Sequence, residues 1–170
     1  MKIIYILIFQ FWLLIFNSAF SSQYCNPNMS LLTPDNVFND NGNGTITDIR
    51  TGLMWKKCLE GEYGLSCSSG AAILGMTRQQ ALKYADDTAF AGYSDWRLPN
   101  IKELMSITEY ACVNPAQNYH IFPNKLTTYW GVFTWTSSRN SLYLSNGRGG
   151  AGGTYNQTGA IRLVRDIATF

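Results

Sequence analysis

The chain has 170 residues, with 13 Lys or Arg against 11 Asp or Glu and a formal net charge of +2 at pH 7. Only 14% of the residues are charged, which excludes a broad basic face for nucleic acid and leaves at most a local patch for a polyanion. This length suits one domain with its own hydrophobic core.

Residues 1–21 have the pattern of a signal peptide. Residues 3–16 are an apolar run behind a positive start, and small residues surround an expected cleavage point after Ser21 or Ser22. The run is shorter than the roughly 20 apolar residues that span a bilayer. We therefore expect an exported protein that is periplasmic, cell-surface or extracellular, with no membrane span in the mature chain.

Four cysteines follow the signal peptide, and an even number in an exported chain indicates disulfides. Zinc binding is disfavoured because there is no CxxC pair and the single histidine, His120, lies near none of the cysteines in sequence. Of the three pairings that four cysteines allow, we favour Cys58 with Cys67 and Cys25 with Cys112. The second pair would pin the amino-terminal arm onto the middle of the domain.

Residues 22–36 are predicted to form this arm, and 37–170 are predicted to form the domain. The domain begins with strand-like segments at 37–38, 45–47 and 53–56, separated by turns rich in Asn, Asp and Gly. The sequence therefore predicts a meander with one hydrophobic face.

The first turn partly resembles a calcium-binding loop. Asn39, Asn41 and Asn43 stand at the positions of early EF-hand ligands, but Arg50 stands where such a loop needs a bidentate Glu. A plain hairpin turn is the preferred interpretation, and no metal site is predicted.

Two helices are predicted after the meander. Thr77 begins a capping box for a helix over about 78–89, whose apolar residues recur at helical spacing. Asn100 and Glu103 form a second box, for a helix over about 101–110.

Residues 92–104 lie between the two helices and combine aromatic, charged and helix-starting residues. Such a mixture favours a structural junction between two halves of the domain. Trp96 is assigned to the core, and Arg97 is expected to be buried and ion-paired with the carboxylates around it, Asp95 and Glu103.

The second half of the chain is predicted to return to strands. After a loop that contains His120, strand-like segments lie within 129–138, 142–145 and 161–165, with a glycine-rich connector at 146–153. The tryptophans predicted to be structural are Trp55, Trp96 and Trp135.

Several of these segments, taken in order, resemble one known family. The motifs are Asn-Gly-Thr-Ile-Thr-Asp at 43–48, Thr-Gly-Leu-Met-Trp at 51–55, Gly-Tyr-Ser-Asp-Trp-Arg-Leu-Pro-Asn-Ile-Lys-Glu-Leu at 92–104, Phe-Pro at 122–123, Trp-Thr-Ser-Ser at 135–138 and Arg-Leu-Val-Arg at 162–165. From about Val37 to Asp166 the chain resembles the Lcl carboxy-terminal domain family, named after a collagen-like adhesin. The Cys58 and Cys67 pair is also similar to one in many members.

The resemblance implies a disulfide-stabilised α+β domain of the C-type-lectin-like or formylglycine-generating-enzyme-like kind, in which two helices flank small antiparallel sheets and the two termini lie close together. In the adhesin, the domain is associated with trimerisation and with binding of sulfated glycosaminoglycans. No Gly-x-y collagen repeat precedes it here, so the resemblance leaves open whether this chain forms a homo-oligomer.

No catalytic residue and no cofactor are predicted. His120 is the single histidine, and Asp95 and Glu103 lie among cations. Formylglycine-type chemistry needs reactive thiols, whereas these cysteines are expected to be oxidised. At least one of Arg162 and Arg165 is expected to serve a structural ion pair.

The predicted ligand-binding residues lie on loops of the second half, where aromatic rings suit sugar faces and Arg and Asn supply hydrogen bonds. They are Tyr129, Trp130, Arg139, Asn140, Arg148, Tyr155 and Asn156. The sequence thus predicts a secreted, non-catalytic, adhesin-like binding module whose partner is a glycan or sulfated polysaccharide. The alternative is an envelope-structural or protein-interaction domain that binds another secreted protein.

Overall fold

The computed structural model describes residues 23–124, 133–138, 141–143, 149–150 and 159–167. Within them the chain forms two α-helices, one short 3₁₀ helix (Asp35–Val37) and eleven short strands in small antiparallel sheets, which confirms the predicted α+β class. The helices are α1 (Arg78–Asp86) and α2 (Ile101–Ser106). The strands are β1 (Tyr24–Cys25), β2 (Phe38–Asp40), β3 (Thr45–Asp48), β4 (Leu53–Lys56), β5 (Glu62–Tyr63), β6 (Ser69–Gly70), β7 (Cys112–Val113), β8 (Phe133–Trp135), β9 (Ser141–Tyr143), β10 (Gly149–Gly150) and β11 (Val164–Asp166).

The largest sheet joins the start of the domain to its end. Its strand order is β11-β4-β3-β2, and every pair is antiparallel. Ile46 on β3 and Val164 on β11 both pair with Trp55 on β4. The predicted meander is therefore confirmed, and the last strand lies three residues later than its predicted start. The smaller sheets pair β1 with β7, β5 with β6, and β8 to β10 in the order β10-β9-β8.

Two hydrophobic clusters pack on opposite faces of this sheet, because successive side chains of a strand point to opposite sides. Trp55 belongs to the first cluster, to which α2 contributes Leu104. Its neighbour Met54 belongs to the second, to which α1 contributes Ala81 and Ala85. The sheet thus lies between the two helices.

The three tryptophans predicted to be structural are all in this core. Trp55, Trp96 and Trp135 are 0%, 2% and 4% exposed. Their burial removes the largest apolar side chains of the described residues from water, so they account for much of the hydrophobic stabilisation.

Both helices begin at the predicted residues but end early. Thr77 and Asn100 each form a complete capping box, with Gln80 and Glu103 respectively. The predicted ends at about 89 and 110 are wrong, since the helices stop at Asp86 and Ser106. After α1 the Thr88 hydroxyl bonds the Tyr84 carbonyl, and after α2 Thr108 bridges to Gln117 instead of continuing the helix.

The junction at residues 92–104 connects both helices to the end of the domain. Trp96 donates its indole N–H to the Phe90 carbonyl at 3.1 Å. The backbone of Arg97 exchanges both hydrogen bonds with Val164 on β11, and the Pro99 carbonyl accepts from Ser137. The predicted role as a structural junction fits these contacts.

Ion pairs around this junction differ from the prediction. Arg97 pairs with Glu103 at 2.8 Å and with Asp166 at 3.1 Å, but its side chain is 35% exposed and so is not buried. Asp95 does not pair with Arg97; it binds Arg165 at 2.7 Å. The Arg97 pKa is raised, chiefly by the hydrogen bond that its guanidinium donates to Glu103. Arg165 is the structural ion-pair residue expected on the last strand.

The first turn satisfies its own polar groups. The Asn43 side-chain oxygen accepts from the amide and hydroxyl of Thr45, and Asn41 donates to the hydroxyls of Thr45 and Thr47. Asp40 is paired with Lys57 at 2.7 Å. These contacts fit the plain hairpin turn that the sequence favoured over a calcium loop.

The structure contains both disulfides that the sequence favoured, Cys25–Cys112 and Cys58–Cys67. The first joins β1 to β7, directly across the sheet pair. The second closes residues 58–67, which contain β5, and β6 begins two residues after Cys67. None of the helices in the described part of the chain has the length and apolar character needed to cross a membrane.

Candidate functional site

All seven ligand-binding residues predicted from the sequence lie outside the described residues. They are Tyr129, Trp130, Arg139, Asn140, Arg148, Tyr155 and Asn156. Their assignment stays a prediction. A different candidate site is formed by the amino-terminal arm and the segment that follows α2.

A cavity of about 230 Å³ opens between these two parts of the chain. The residues that line it are Gln23, Cys25, Leu31, Thr33, Asp35, Glu109, Cys112, Asn118, Tyr119 and His120. Pockets for drug-sized ligands are typically roughly 300–1,000 Å³. The cavity is therefore smaller than a typical pocket for a drug-sized ligand.

One wall of the cavity is the arm, which is held by more than its disulfide. The Gln23 amide donates to the carbonyls of Pro115 and Gln117. Tyr24 pairs with Val113 on β7. These bonds fix the first residues of the arm against the segment after α2, so the wall is a built part of the domain.

Glu109 anchors the next part of the arm from the protein interior. Its side chain is 2% exposed. One carboxylate oxygen accepts from the backbone N–H of Thr33 at 2.8 Å and from its hydroxyl at 3.0 Å. The other accepts from the N–H of Ala111 at 3.0 Å. Both oxygens are thus engaged within the protein, and Glu109 acts as a positioning residue.

Asn118 joins the arm to the loop that carries the rest of the site. Its side-chain N–H groups donate to the Thr33 carbonyl at 2.8 Å and to Asp35 Oδ1 at 2.7 Å. Its side-chain oxygen accepts from the backbone N–H groups of His120 at 3.0 Å and Ile121 at 3.2 Å. The amide therefore uses both of its donors and its acceptor to hold the cavity mouth.

Asp35 and His120 lie at this mouth and face solvent. Asp35 Oδ2 is 3.1 Å from His120 Nδ1, and the two side chains are 58% and 85% exposed. The hydrogen bond from Asn118, followed by the one from His120, lowers the pKa of Asp35 below its usual value. A fixed, ionised carboxylate at the mouth is the result.

Apolar surface adjoins these polar groups. Leu31 and Tyr119, which both line the cavity, are 50% and 37% exposed. Aromatic and aliphatic surface next to planar polar side chains can contact a sugar ring and its hydroxyl groups together. Among the described residues, no group of three or more His, Cys, Asp or Glu side chains is arranged to hold a metal ion.

A second polar cluster is buried in the core and has a structural role. Arg162 is fully buried, donates to the carbonyls of Lys56 and Lys57, and stacks over the Phe122 ring at 5.0 Å. Burial lowers its pKa to about 10, although the nearby carboxylates act in the opposite direction. Arg162 therefore links β4 to the segment before β11, and it is inaccessible to solvent.

Sequence reasoning placed His120 on a loop but assigned it to no site. It missed Asp35, Glu109 and Asn118. The partners of these residues lie 83, 85 and 76 positions away along the chain, so no local spacing indicates them. The one available signal was the favoured Cys25–Cys112 pairing, which brings the arm to β7.

Comparison with known proteins identifies the family. No curated protein and no solved structure matches the chain. The sequence model of the Lcl C-terminal domain matches residues 44–165, which is well over half of the chain and includes both helices. The chain therefore belongs to the Lcl C-terminal domain family.

Proposed function

We propose that this protein is an extracellular, non-catalytic binding module for carbohydrate, with the adhesin-like role that its family suggests. The observation that carries the proposal is the arm cavity, where Tyr119 and Leu31 provide apolar surface beside Asp35, Asn118 and His120. The two disulfides support an oxidising compartment outside the cytoplasm.

A C-type-lectin-like or formylglycine-generating-enzyme-like fold is part of this proposal. Its support is the arrangement of one helix on each face of a small antiparallel sheet, with β11 placed beside β4. In such a scaffold, loops of the second half supply a further ligand surface, and Arg139 and Arg148 are the residues we expect to meet sulfate there.

The test of the carbohydrate proposal compares two tyrosines of similar exposure. Tyr119 lines the cavity and is 37% exposed, whereas Tyr110 is 40% exposed and does not line it. The mature protein and the variants Tyr119→Ala and Tyr110→Ala are applied to a glycan array, and affinities for any retained glycan are measured by calorimetry.

We expect Tyr119→Ala to weaken glycan binding by about tenfold or more, since loss of an aromatic–sugar contact removes buried apolar area. Tyr110→Ala should bind as the unmodified protein does. Equal binding by both variants, together with loss of binding in Arg139→Ala, would move the carbohydrate site to the loops of the second half. Absence of glycan binding altogether would overturn the proposal.

A protein partner is the second candidate, and exposed apolar side chains on the arm favour it. Tyr24, Met29, Leu31 and Leu32 on the arm are 67%, 47%, 50% and 56% exposed. Exposed apolar side chains that form one contiguous patch mark interaction sites. A secreted protein captured from intact cells, lost on Leu32→Ser and not displaced by free glycans, would favour this second function.

A further inference from the structure

The wall of the cavity that carries Asp35 comes from outside the region that the family model matches. The match begins at residue 44, whereas Gln23, Leu31, Thr33 and Asp35 precede it. The ligand preference of this cavity therefore depends on residues that the family match does not describe.

Asp35 keeps acceptor capacity for a ligand. A carboxylate has two oxygens and about four acceptor positions. Asn118 occupies one position on Oδ1 and His120 lies at one position on Oδ2. The side chain is 58% exposed, so each oxygen can accept one more hydrogen bond from a molecule in the cavity. Two adjacent acceptors match a pair of neighbouring hydroxyl groups.

The charges around the cavity disfavour an anionic ligand. Its lining contains two carboxylates, Asp35 and Glu109, and no Lys or Arg among the described residues. Arg50, which reaches the arm by donating to the Leu32 carbonyl at 2.8 Å, is paired with Asp48 at 3.2 Å. A sulfate placed in this cavity would therefore meet a like charge at Asp35, with His120 as the one group of the lining that can carry a positive charge. Such like-charge repulsion is an element of specificity.

We infer that Asp35 makes the arm cavity selective for neutral saccharides, whose hydroxyl groups it accepts, and that it excludes sulfated and carboxylated ones. This inference rests on the proposed carbohydrate-binding function. It assigns any sulfated ligand to another surface of the protein and names Asp35 as the specificity-determining residue of this one.

The experiment uses an array that carries the same glycans with and without 6-O-sulfate, probed with the full mature protein. Asp35→Asn removes the charge, and its side-chain oxygen can still accept from Asn118. Asp35→Glu keeps the charge. Asp40→Asn is the control, since Asp40 is another partly exposed ion-paired carboxylate, with 43% side-chain exposure, outside the cavity.

We expect the unmodified protein to prefer the neutral member of each retained pair by about tenfold or more. Asp35→Asn should reduce this preference to about twofold, while Asp35→Glu and Asp40→Asn retain it. Thermal unfolding of each variant checks that the fold is kept, and Asp35→Ser, which also removes the charge, serves as the second variant with the same expected result if Asp35→Asn unfolds.

Two outcomes separate the inference from the proposed function. If glycans bind in a Tyr119-dependent way but the neutral and sulfated forms bind alike, or if Asp35→Asn leaves the preference unchanged, the inference is wrong and the proposed function stands. If no glycan of either kind binds, both are overturned.

Discussion

The junction at residues 92–104 and the arm cavity each depend on a glutamate, but the two glutamates act over different distances along the chain. Glu103 accepts from the backbone of Asn100 and the guanidinium of Arg97, three and six residues away. Glu109 accepts from Thr33, 76 residues away. Contacts between residues close in sequence can form early and are visible as sequence spacing. Contacts between residues far apart in sequence, such as Glu109 and Thr33, form only after a long loop has closed.

The largest expected effect in this comparison is at the junction. Trp96→Ala should lower the free energy of unfolding by about 3–5 kcal/mol, because it leaves a cavity where a large aromatic side chain was buried. It also removes the hydrogen bond to the Phe90 carbonyl. Urea denaturation followed by tryptophan fluorescence and circular dichroism measures this loss.

Tyr93→Ala is a suitable control for this substitution. Tyr93 packs against Trp96 with ring centroids 6.5 Å apart, yet it is 37% exposed. Its loss should therefore cost clearly less than that of Trp96. A Trp96→Ala protein as stable as the unmodified one would show that the core is not centred on this junction.

The second prediction compares how much stability is lost when each of the two glutamates is replaced by glutamine. Glu109→Gln should cost about 1–3 kcal/mol, since an amide cannot accept from both Thr33 and Ala111 and leaves a buried N–H unsatisfied. Glu103→Gln should cost about 1 kcal/mol or less. Gln can complete the capping box with Asn100, and Arg97 retains its pair with Asp166.

Hydrogen exchange shows where each substitution acts. In Glu109→Gln the backbone N–H groups of Thr33 and Asn26 should exchange faster, while Leu104 and Arg97 keep their protection. In Glu103→Gln the arm should be unchanged. Uniform loss of protection in both variants would mean that the arm and the junction form one cooperative unit.

Much of the junction could be predicted from sequence because its signals are local. The capping residue Asn100 and the buried Trp96 follow from residue type and spacing, as does the cap of α1 at Thr77 outside the junction. The pairing of Asp95 with Arg165 instead of Arg97 could not be predicted from sequence. It depends on the position of β11 beside β4. The predicted end of α2 was too late because a tertiary contact, the Thr108–Gln117 bridge, follows the helix.

The cavity was missed since each of its polar residues looks unremarkable in its own segment. Asp35 follows a proline, Glu109 follows a helix, and Asn118 lies in a loop. These residues come together only when the Cys25–Cys112 disulfide and the β1–β7 pairing hold the arm against the segment that follows α2. Sequence reasoning therefore reached the elements that meet at the cavity but not the side chains that form it.

The smallest expected effect concerns the charge of Asp35. Its pKa is lowered in the folded protein, first by Asn118 and then by His120. A carboxyl group that is more acidic when folded stabilises the fold at pH above its unfolded pKa of about 3.9. That stabilisation is lost as the pH falls through the lower, folded value.

Direct NMR titration of the Asp35 carboxyl carbon should therefore show a midpoint below the usual one. Asn118→Ala should raise this midpoint more than His120→Ala does, because the Asn118 hydrogen bond is the larger cause and remains when the imidazole is removed. The reverse order would assign the acidity of Asp35 to His120, and the cavity mouth would then be held by an ion pair instead of by the Asn118 amide that ties the arm to its loop.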